Sequence, residues 1–351
     1  MLSPDSTVAL VDRPDRTVNA ATIYDVARRA GVSHQTVTRF LHGYKGIRPE
    51  TRARVEAALT ELDYRPNSAA RLLRSRRTNR IGVLADRIDQ SGPARILAAA
   101  SELAREKGYV LDIVVADGTS AESVAASLAM LLEHQVAGIF ATAQTEVVLE
   151  ELRRQAVAQP LVIDAEVGIG VEGVTVNEAA GRCAADHLLA LGHRRIGYLS
   201  GPEVWLAGRE RFAGFTRRLA EAGVEPVWTR EGDWSVGSGD AAWRSLSKRD
   251  RSVTAVGVAN DSMAIGLISG IHASGLSVPQ DVSVVGTDDL PEARYIWPAM
   301  STVVMDFEGE GRRVLETLLA KIEDKPEPGP ITLAPPHIVE RASTRALVSP
   351  R

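Results

Sequence analysis

Cysteine is almost missing from this chain. Cys183 is the only one in 351 residues, which excludes an internal disulfide framework and a cysteine-rich zinc site. The seven histidines are scattered, and none pairs with a carboxylate at metal-ligand spacing. No apolar run approaches the length of a membrane span. Residues 1–20 hold one short apolar patch, Val8 to Val11, broken by Asp12 and Arg13. That is too little for a signal peptide, so the segment reads as a disordered tail and a cytoplasmic protein is expected; residues 346–351 form a short C-terminal tail. The Asn260-Asp261-Ser262 sequon is then accidental. G-x-S-x-G, H-E-x-x-H and P-loop signatures are also lacking. The one G-x-G-x-x-G match, Gly168 to Gly173, has an extended stretch (Val174 to Val176) where a dinucleotide site needs a helix N-terminus. No cofactor, no metal and no enzyme activity are expected.

The composition is that of a soluble globular protein, 25% charged and 44% hydrophobic, and the length predicts two or three domains. The net charge of -4 conceals an asymmetry. Residues 21–80 hold 13 Lys and Arg against 5 Asp and Glu, whereas the remainder holds 28 against 40. A basic module on an acidic body suggests a polyanion partner for the module alone.

Within that module, Thr22 and Asp25 form a T-x-x-D capping box for a short helix that Gly31 ends. Ser33 caps a second helix near His34 to His42, with Val37, Phe40 and Leu41 as its inner face. Pro49 opens a third, on which Val55, Ala58, Leu59 and Leu62 recur at helical spacing. Three short helices with a tight turn between the first two make a helix-turn-helix unit, whose second helix enters the DNA major groove. His34, Gln35, Thr38 and Arg39 then offer different donors and acceptors to different base edges. The basic stretch after Pro66 and Asn67 is too short for a stable isolated helix. It reads either as a charged linker or as a segment that folds on DNA, where small Ala69 and Ala70 permit close approach and an apolar side chain wedges into the minor groove.

From Arg80 onward strands and helices alternate, the pattern of parallel sheets covered by helices. Two such cycles predict two α/β subdomains with a ligand cleft at the carboxyl ends of the strands. Trp234, Asn260, Asp288 and Asp289 fall at strand ends, and Arg209 near the start of a helix. An aromatic face with carboxylate, amide and guanidinium groups suits a sugar.

The stretches "TIYDVARRAGVSHQTVTRFLHG", "TRARVEAALTELDYRPN" and "AARLL" resemble the LacI/GalR family of bacterial transcription regulators, and the resemblance runs on through the body. It implies an α/β fold: an N-terminal helix-turn-helix headpiece (21–66), a hinge helix or linker (67–79), and a two-lobed core of parallel sheets like periplasmic sugar-binding proteins (80–345). The lobes would be 80–165 with 291–330, and 166–290 with 331–345. It assigns operator contacts to His34, Gln35 and Arg39, with Thr22, Tyr24, Ser33 and Thr38 around them, and hinge contacts to Asn67, Ala70 and Leu73. A close family member has tyrosine at His34, so the base pair facing His34 is the expected point of difference. In the cleft the resemblance assigns effector contacts to Arg209, Trp234, Asn260, Asp288 and Phe307, with Asp164 and Asp86 at further polar positions. The expected protein is a dimeric repressor, since no leucine-heptad helix follows "HIVERASTRALVSPR". Its partners would be a near-palindromic DNA operator and a sugar, a galactoside or similar glycoside. Rival readings are a transporter's solute-binding protein, a sugar-processing enzyme using Asp288 with Asp164 or Asp86, and a regulator with a corepressor response.

Overall fold

The computed structural model describes residues 21–41, 43–64, 78–142, 144–166, 170–171, 173–329 and 333–347. The tail 1–20 and the hinge candidates Asn67, Ala70 and Leu73 lie outside them. The chain divides into two compact units, Met1–Arg77 and Thr78–Arg351.

In the first unit, α1 (Ile23–Ala30), α2 (His34–Leu41) and α3 (Pro49–Glu61) enclose a small core of Val26, Ala27, Ala30, Val37, Val55 and Ala58. The predicted capping box is present: the Asp25 amide donates to Thr22 Oγ1 (3.3 Å), and the Thr22 amide to Asp25 Oδ2 (3.0 Å). Gly31 takes φ 63° at the C-cap, where a side chain would be strained. The Thr36 amide donates to Ser33 Oγ (3.2 Å), which starts α2 where the sequence places it. Arg29 and Glu61 link α1 to α3 through a 2.5 Å ion pair.

The second unit holds two sheets. The first has strand order β2-β1-β3-β4, all parallel: β1 (Arg80–Ala85), β2 (Val110–Val115), β3 (Ile139–Ala141) and β4 (Leu161–Ile163). Around it lie α4 (Ser91–Glu106), α5 (Ala121–Glu133) and α6 (Glu146–Gln155). A short antiparallel pair follows, β5 (Gly170–Val171) with β6 (Val174–Thr175). The Thr175 side chain then caps α7 (Val176–Ala190), and the described part of the predicted interlobe loop contains this small hairpin.

The second sheet has order β12-β11-β10-β9-β7-β8. It is parallel except at β12 (His337–Val339), which runs antiparallel to β11 (Ser301–Val304). Its remaining strands are β7 (Ile196–Ser200), β8 (Trp228–Glu231), β9 (Ala255–Val258) and β10 (Ser283–Thr287). Strands β9 and β10 are buried at every residue, which explains their unbroken apolar runs. Helices α7, α8 (Leu206–Glu221), α9 (Val236–Ser245) and α10 (Asp261–Ala273) accompany this sheet. α7 and α8 pack with almost no gap, because a Cβ on Gly181 would collide with the Arg211 carbonyl and one on Gly214 with the Glu178 carbonyl.

One predicted boundary is corrected. The chain does not return to the first lobe near 290, since β11 pairs with β10 in the second sheet. The crossing falls between β11 and α11 (Phe307–Ile322), which packs on α4, β3 and β4 of the first lobe. Ser301 and Thr302 are buried and tied within the second lobe: Thr302 Oγ1 donates to Asp261 Oδ1 (2.7 Å), and the Ser301 amide to Ser343 Oγ (2.8 Å).

Candidate functional site

In the headpiece, Ser33, His34, Gln35 and Arg39 are exposed along the first turns and one flank of α2, and Thr38 is half-buried. Thr38 Oγ1 donates to the His34 carbonyl (2.9 Å), a local bond that holds the hydroxyl against its own helix. Tyr24, exposed on α1, brings its ring to 5.2 Å from the His34 imidazole at 44°. The guanidinium of Arg39 lies 5.8 Å from the centre of the Tyr44 ring, which steers the long side chain without consuming its donors. Thr22 is differently placed: its hydroxyl donates to Asp25 Oδ2 at 2.6 Å, and its bonds hold the Asp25 carboxyl below its usual range. The edge therefore presents an imidazole, an amide and a guanidinium from one rigid helix.

The core unit has a cavity, open to solvent and walled by both lobes, from Gln90–Pro93 and Gln144 on one side to Trp205, Arg211, Trp234, Asn260 and Asp288 on the other. Phe307 and Glu310 of α11 also reach it. Trp234 sits at φ 72°, Asp288 at 110° and Asp289 at 51°; each left-handed non-glycine residue costs about 1–3 kcal/mol that the surroundings must hold. Part of that hold is visible. Asn260 Nδ2 donates to the Trp234 carbonyl (3.0 Å), and Asn260 Oδ1 accepts from the Met263 amide (2.9 Å), capping α10. Gly201 leaves room for the Trp234 ring, with which a side chain there would collide. Trp205 lies 5.8 Å from Trp234 at 58°, so two indoles flank the space.

Arg211 organises the polar wall. It donates to Asn177 Oδ1 (3.0 Å), the Ala259 carbonyl (2.5 Å) and Asp288 Oδ1 (3.0 Å). Burial pushes the Asp288 carboxyl up, while Arg211 and then Arg95 pull it down. From the first lobe, Arg95 donates to the Asp288 carbonyl (2.7 Å), and its guanidinium lies 5.1 Å from the centre of the Phe307 ring.

A second open cavity adjoins the first, sharing Gln144, Asn177, Ala207 and Glu310 with it. Asp164, Thr175 and Glu210 complete its polar lining. Asn177 Nδ2 donates to Glu210 Oε2 (3.2 Å), and the Ala165 amide to Asp164 Oδ1 (2.7 Å).

Of the predicted effector residues, Trp234, Asn260, Asp288 and Phe307 meet in the first cavity and Asp164 lies in the second. Two do not join them. Arg209 is on the outer side of α8, where Nη2 donates to Glu146 Oε1 (2.7 Å) across the lobes. Positions 209 and 211 are about 200° apart on a helix, so only Arg211 faces inward. Asp86 is buried beside Gly118 and lines neither cavity; burial raises its carboxyl, and backbone bonds from Gly118 and Arg87 work against that. Asp289 pairs with Arg341 at 2.6 Å, away from the cavity lining. The sequence reading missed Gln144, Asn177, Trp205, Glu210, Arg211 and Glu310. A signal existed for Arg211 alone, as the second arginine in "GRERF".

Residues 22–67 match the profile of bacterial regulatory proteins of the lacI family, and 185–344 that of a periplasmic binding protein-like domain. The lactose operon repressor of Escherichia coli (strain K12) is 32% identical over 330 residues, 93% of this chain and 91% of that protein. The HTH-type transcriptional repressor PurR of Edwardsiella ictaluri (strain 93-146) is 34% identical over 330 residues, 92% of this chain and 96% of its own. Among solved structures, the lac repressor dimer bound to operator and the anti-inducer ONPF superposes with a TM-score of 0.82 at 31% identity, over 93% of this chain and all of that one. A complex of the transcriptional regulator CelR with cellobiose superposes at 0.66 with 30% identity, over 92% and 99%.

Proposed function

Because the chain belongs to the lacI family of bacterial regulatory proteins, we propose that it is a dimeric, DNA-binding transcriptional repressor whose operator affinity is set by a glycoside bound between the lobes of its core. The observation that carries this reading is the coexistence, in one chain aligned nearly end to end with repressors, of an exposed reading edge on α2 and a two-lobed cleft. A solute-binding protein would have no use for the headpiece. The relatives are repressors, and no catalytic role is proposed for Asp288, whose carboxylate is engaged with Arg211.

His34, Gln35 and Arg39 would read base edges, with Tyr24, Ser33 and Thr38 beside them. In the cleft, the indole of Trp234 would cover the apolar face of a sugar ring while Arg211, Asn260 and Asp288 bind its hydroxyls. Relatives have been solved with ONPG and with cellobiose, which supports a glycoside here, a galactoside being the leading class. Such a protein works in the cytoplasm, where its DNA is. Ligand and operator must affect each other by one common factor, about 5- to 150-fold.

The test is a gel shift on DNA flanking the chain's own gene, with and without a panel of glycosides. A specific shift altered by one glycoside supports the reading. Its absence on every upstream fragment at moderate salt rejects it.

A further inference from the structure

The polar groups that the second lobe brings to the cleft are tied to one another. Arg211 is held by Asn177, Ala259 and Asp288, and Asn260 by Trp234 and Met263. Asn177, where the two cavities join, accepts from Arg211 through Oδ1 and donates to Glu210 through Nδ2. Glu310 stands differently at the same junction. It lines both cavities, and among the described residues no hydrogen bond reaches its carboxyl. Its helix, α11, packs on α4, β3 and β4 of the first lobe. The fit is so close that a Cβ on Gly311 would collide with the Ile96 carbonyl. Phe307, one turn earlier on the same face of α11, walls the first cavity. The Glu310 carboxyl therefore enters the cleft from the first lobe on a rigid support, while Arg211, Asn260 and Asp288 enter it from the second.

We propose that Glu310 is the first-lobe contact of the bound glycoside and makes effector binding pH-sensitive, hydrogen-bonding a ligand oxygen through its carboxylic O–H and accepting from a ligand hydroxyl through its C=O. This rests on the reading of the cleft as the effector site and adds to it a specificity residue and a regulatory input. Withdrawal from water pushes the Glu310 carboxyl up to about 8, with Asp164 adding to the rise, Arg211 opposing it, and Asp306 and Glu210 adding less. The charged groups around it have partners of their own. Asp306, the N-cap of α11, accepts from the Gly309 (2.9 Å) and Ala334 (3.1 Å) amides. Glu308 pairs with Arg95 of α4 (3.1 Å), and on α8 Glu210 is held by Asn177 and Arg211 by Asp288. Asp164, after β4, accepts from the Ala165 amide (2.7 Å). β3 and β4 themselves carry no charge. Burial is thus the main cause of the rise. A ligand filling the cleft takes still more water from this carboxyl and disfavours its charged form further. The neutral acid is the binding form, and at higher pH binding takes up a proton.

The test uses the full-length protein and four probes without an ionisable group: methyl β-galactoside, methyl β-glucoside, lactose and cellobiose. Any pH dependence of their binding then belongs to the protein. Tryptophan fluorescence titration from pH 7 to pH 9 reads affinity, and calorimetry in two buffers of different ionisation enthalpy reads proton uptake. For a probe that binds, affinity is expected to fall about tenfold over that range, as the competent fraction of a group at about 8 does. Proton uptake should appear at pH 9. Glu310→Leu, with neither donor nor acceptor, should bind about tenfold more weakly at pH 7. Glu310→Gln restores both groups without a titrating proton, so it should recover much of that loss and give a flat profile. Operator binding without ligand is the control for folding. A pH dependence that survives Glu310→Gln assigns the titration to another group, such as Asp288, and overturns the proposal. A flat wild-type profile also overturns it, and leaves the effector reading standing if the probe alters operator affinity. If none of the four probes binds at pH 7, the glycoside reading falls and this proposal with it.

Discussion

Arg211 and Asp288 form a buried ion pair, Nη1 to Oδ1 at 3.0 Å, with side chains only 7% and 8% exposed. α8 brings one partner and the turn after β10 the other. Removing two charges from water costs about as much as their attraction returns, so the pair is weak evidence of stability. It is better evidence of a fixed polar wall. The guanidinium is fully oriented by Asn177, Ala259 and Asp288, and the left-handed backbone at Asp288 aims its carboxylate.

Arg211→Lys should therefore weaken effector binding by roughly ten- to a hundredfold, because an ammonium group cannot reproduce the fork that holds three acceptors. Arg209→Ala, two residues away, removes only an exposed pair with Glu146 and should stay within about fivefold. Tryptophan fluorescence titration compares them, and equal losses would show that α8 presents a different face to the ligand.

That contrast also shows what the sequence could reveal. The starts of the headpiece helices and the end of the first were legible, since Thr22, Gly31, Ser33 and Pro49 act through local backbone chemistry that a short window contains. Strand ends at Trp234, Asn260 and Asp288 were legible for the same reason. The choice between Arg209 and Arg211 depends on helix phase, and that phase is fixed by Gly181 and Gly214 meeting across α7 and α8. Glu310 was invisible, because α11 enters the site only after β11 has joined the second sheet.

For the headpiece, Arg39→Ala should cost about 1–3 kcal/mol against the specific operator if the guanidinium is bidentate to a guanine. The loss should be confined to one base position and leave effector binding intact. A uniform loss across sequences, with a salt slope shallower by about 1, would make Arg39 a phosphate contact instead. His34→Tyr should change base preference at one position only. Competition gel shifts with single-base operator variants read both.

Acid should destabilise the core through His193. Its ring is buried, with Nδ1 3.0 Å from Thr254 Oγ1 and Nε2 3.1 Å from the Arg345 carbonyl, and burial lowers it to about 4. The folded value lies below the unfolded one of about 6.5, so the unfolded chain takes the proton first. The contribution is complete above that value and disappears as pH falls toward about 4, amounting to about 3 kcal/mol. Glu310, raised to about 8, has the opposite slope and makes stability fall as pH rises from about 4.5 to 8. The informative quantity is hence the difference between the wild type and His193→Gln in urea unfolding at pH 5 and pH 7. The pH dependence should be shallower in the variant, and unchanged dependence would place the acid sensitivity elsewhere.

The partner subunit should cover two exposed apolar features of the core. Tyr295 and Trp297 are 82% and 89% exposed just after a 3-10 turn of the second lobe. In the first lobe β2 is an edge strand with Val110, Ile113 and Val115 exposed. A soluble protein rarely leaves an indole and an unpaired apolar edge in water. In a two-fold dimer each patch meets its own copy or its counterpart on the partner, so one substitution is felt twice. Trp297→Glu should therefore raise the dimer dissociation constant by about a hundredfold or more, the scale of a buried aromatic anchor, as read by analytical ultracentrifugation. Glycoside binding should persist, because Trp297 is not in the cavity lining. Operator affinity should drop, since two linked headpieces gain from effective concentration what single ones lack. A Trp297→Glu protein that stays dimeric would shift the interface to β2, and Val115→Asp would then be the variant that separates the subunits.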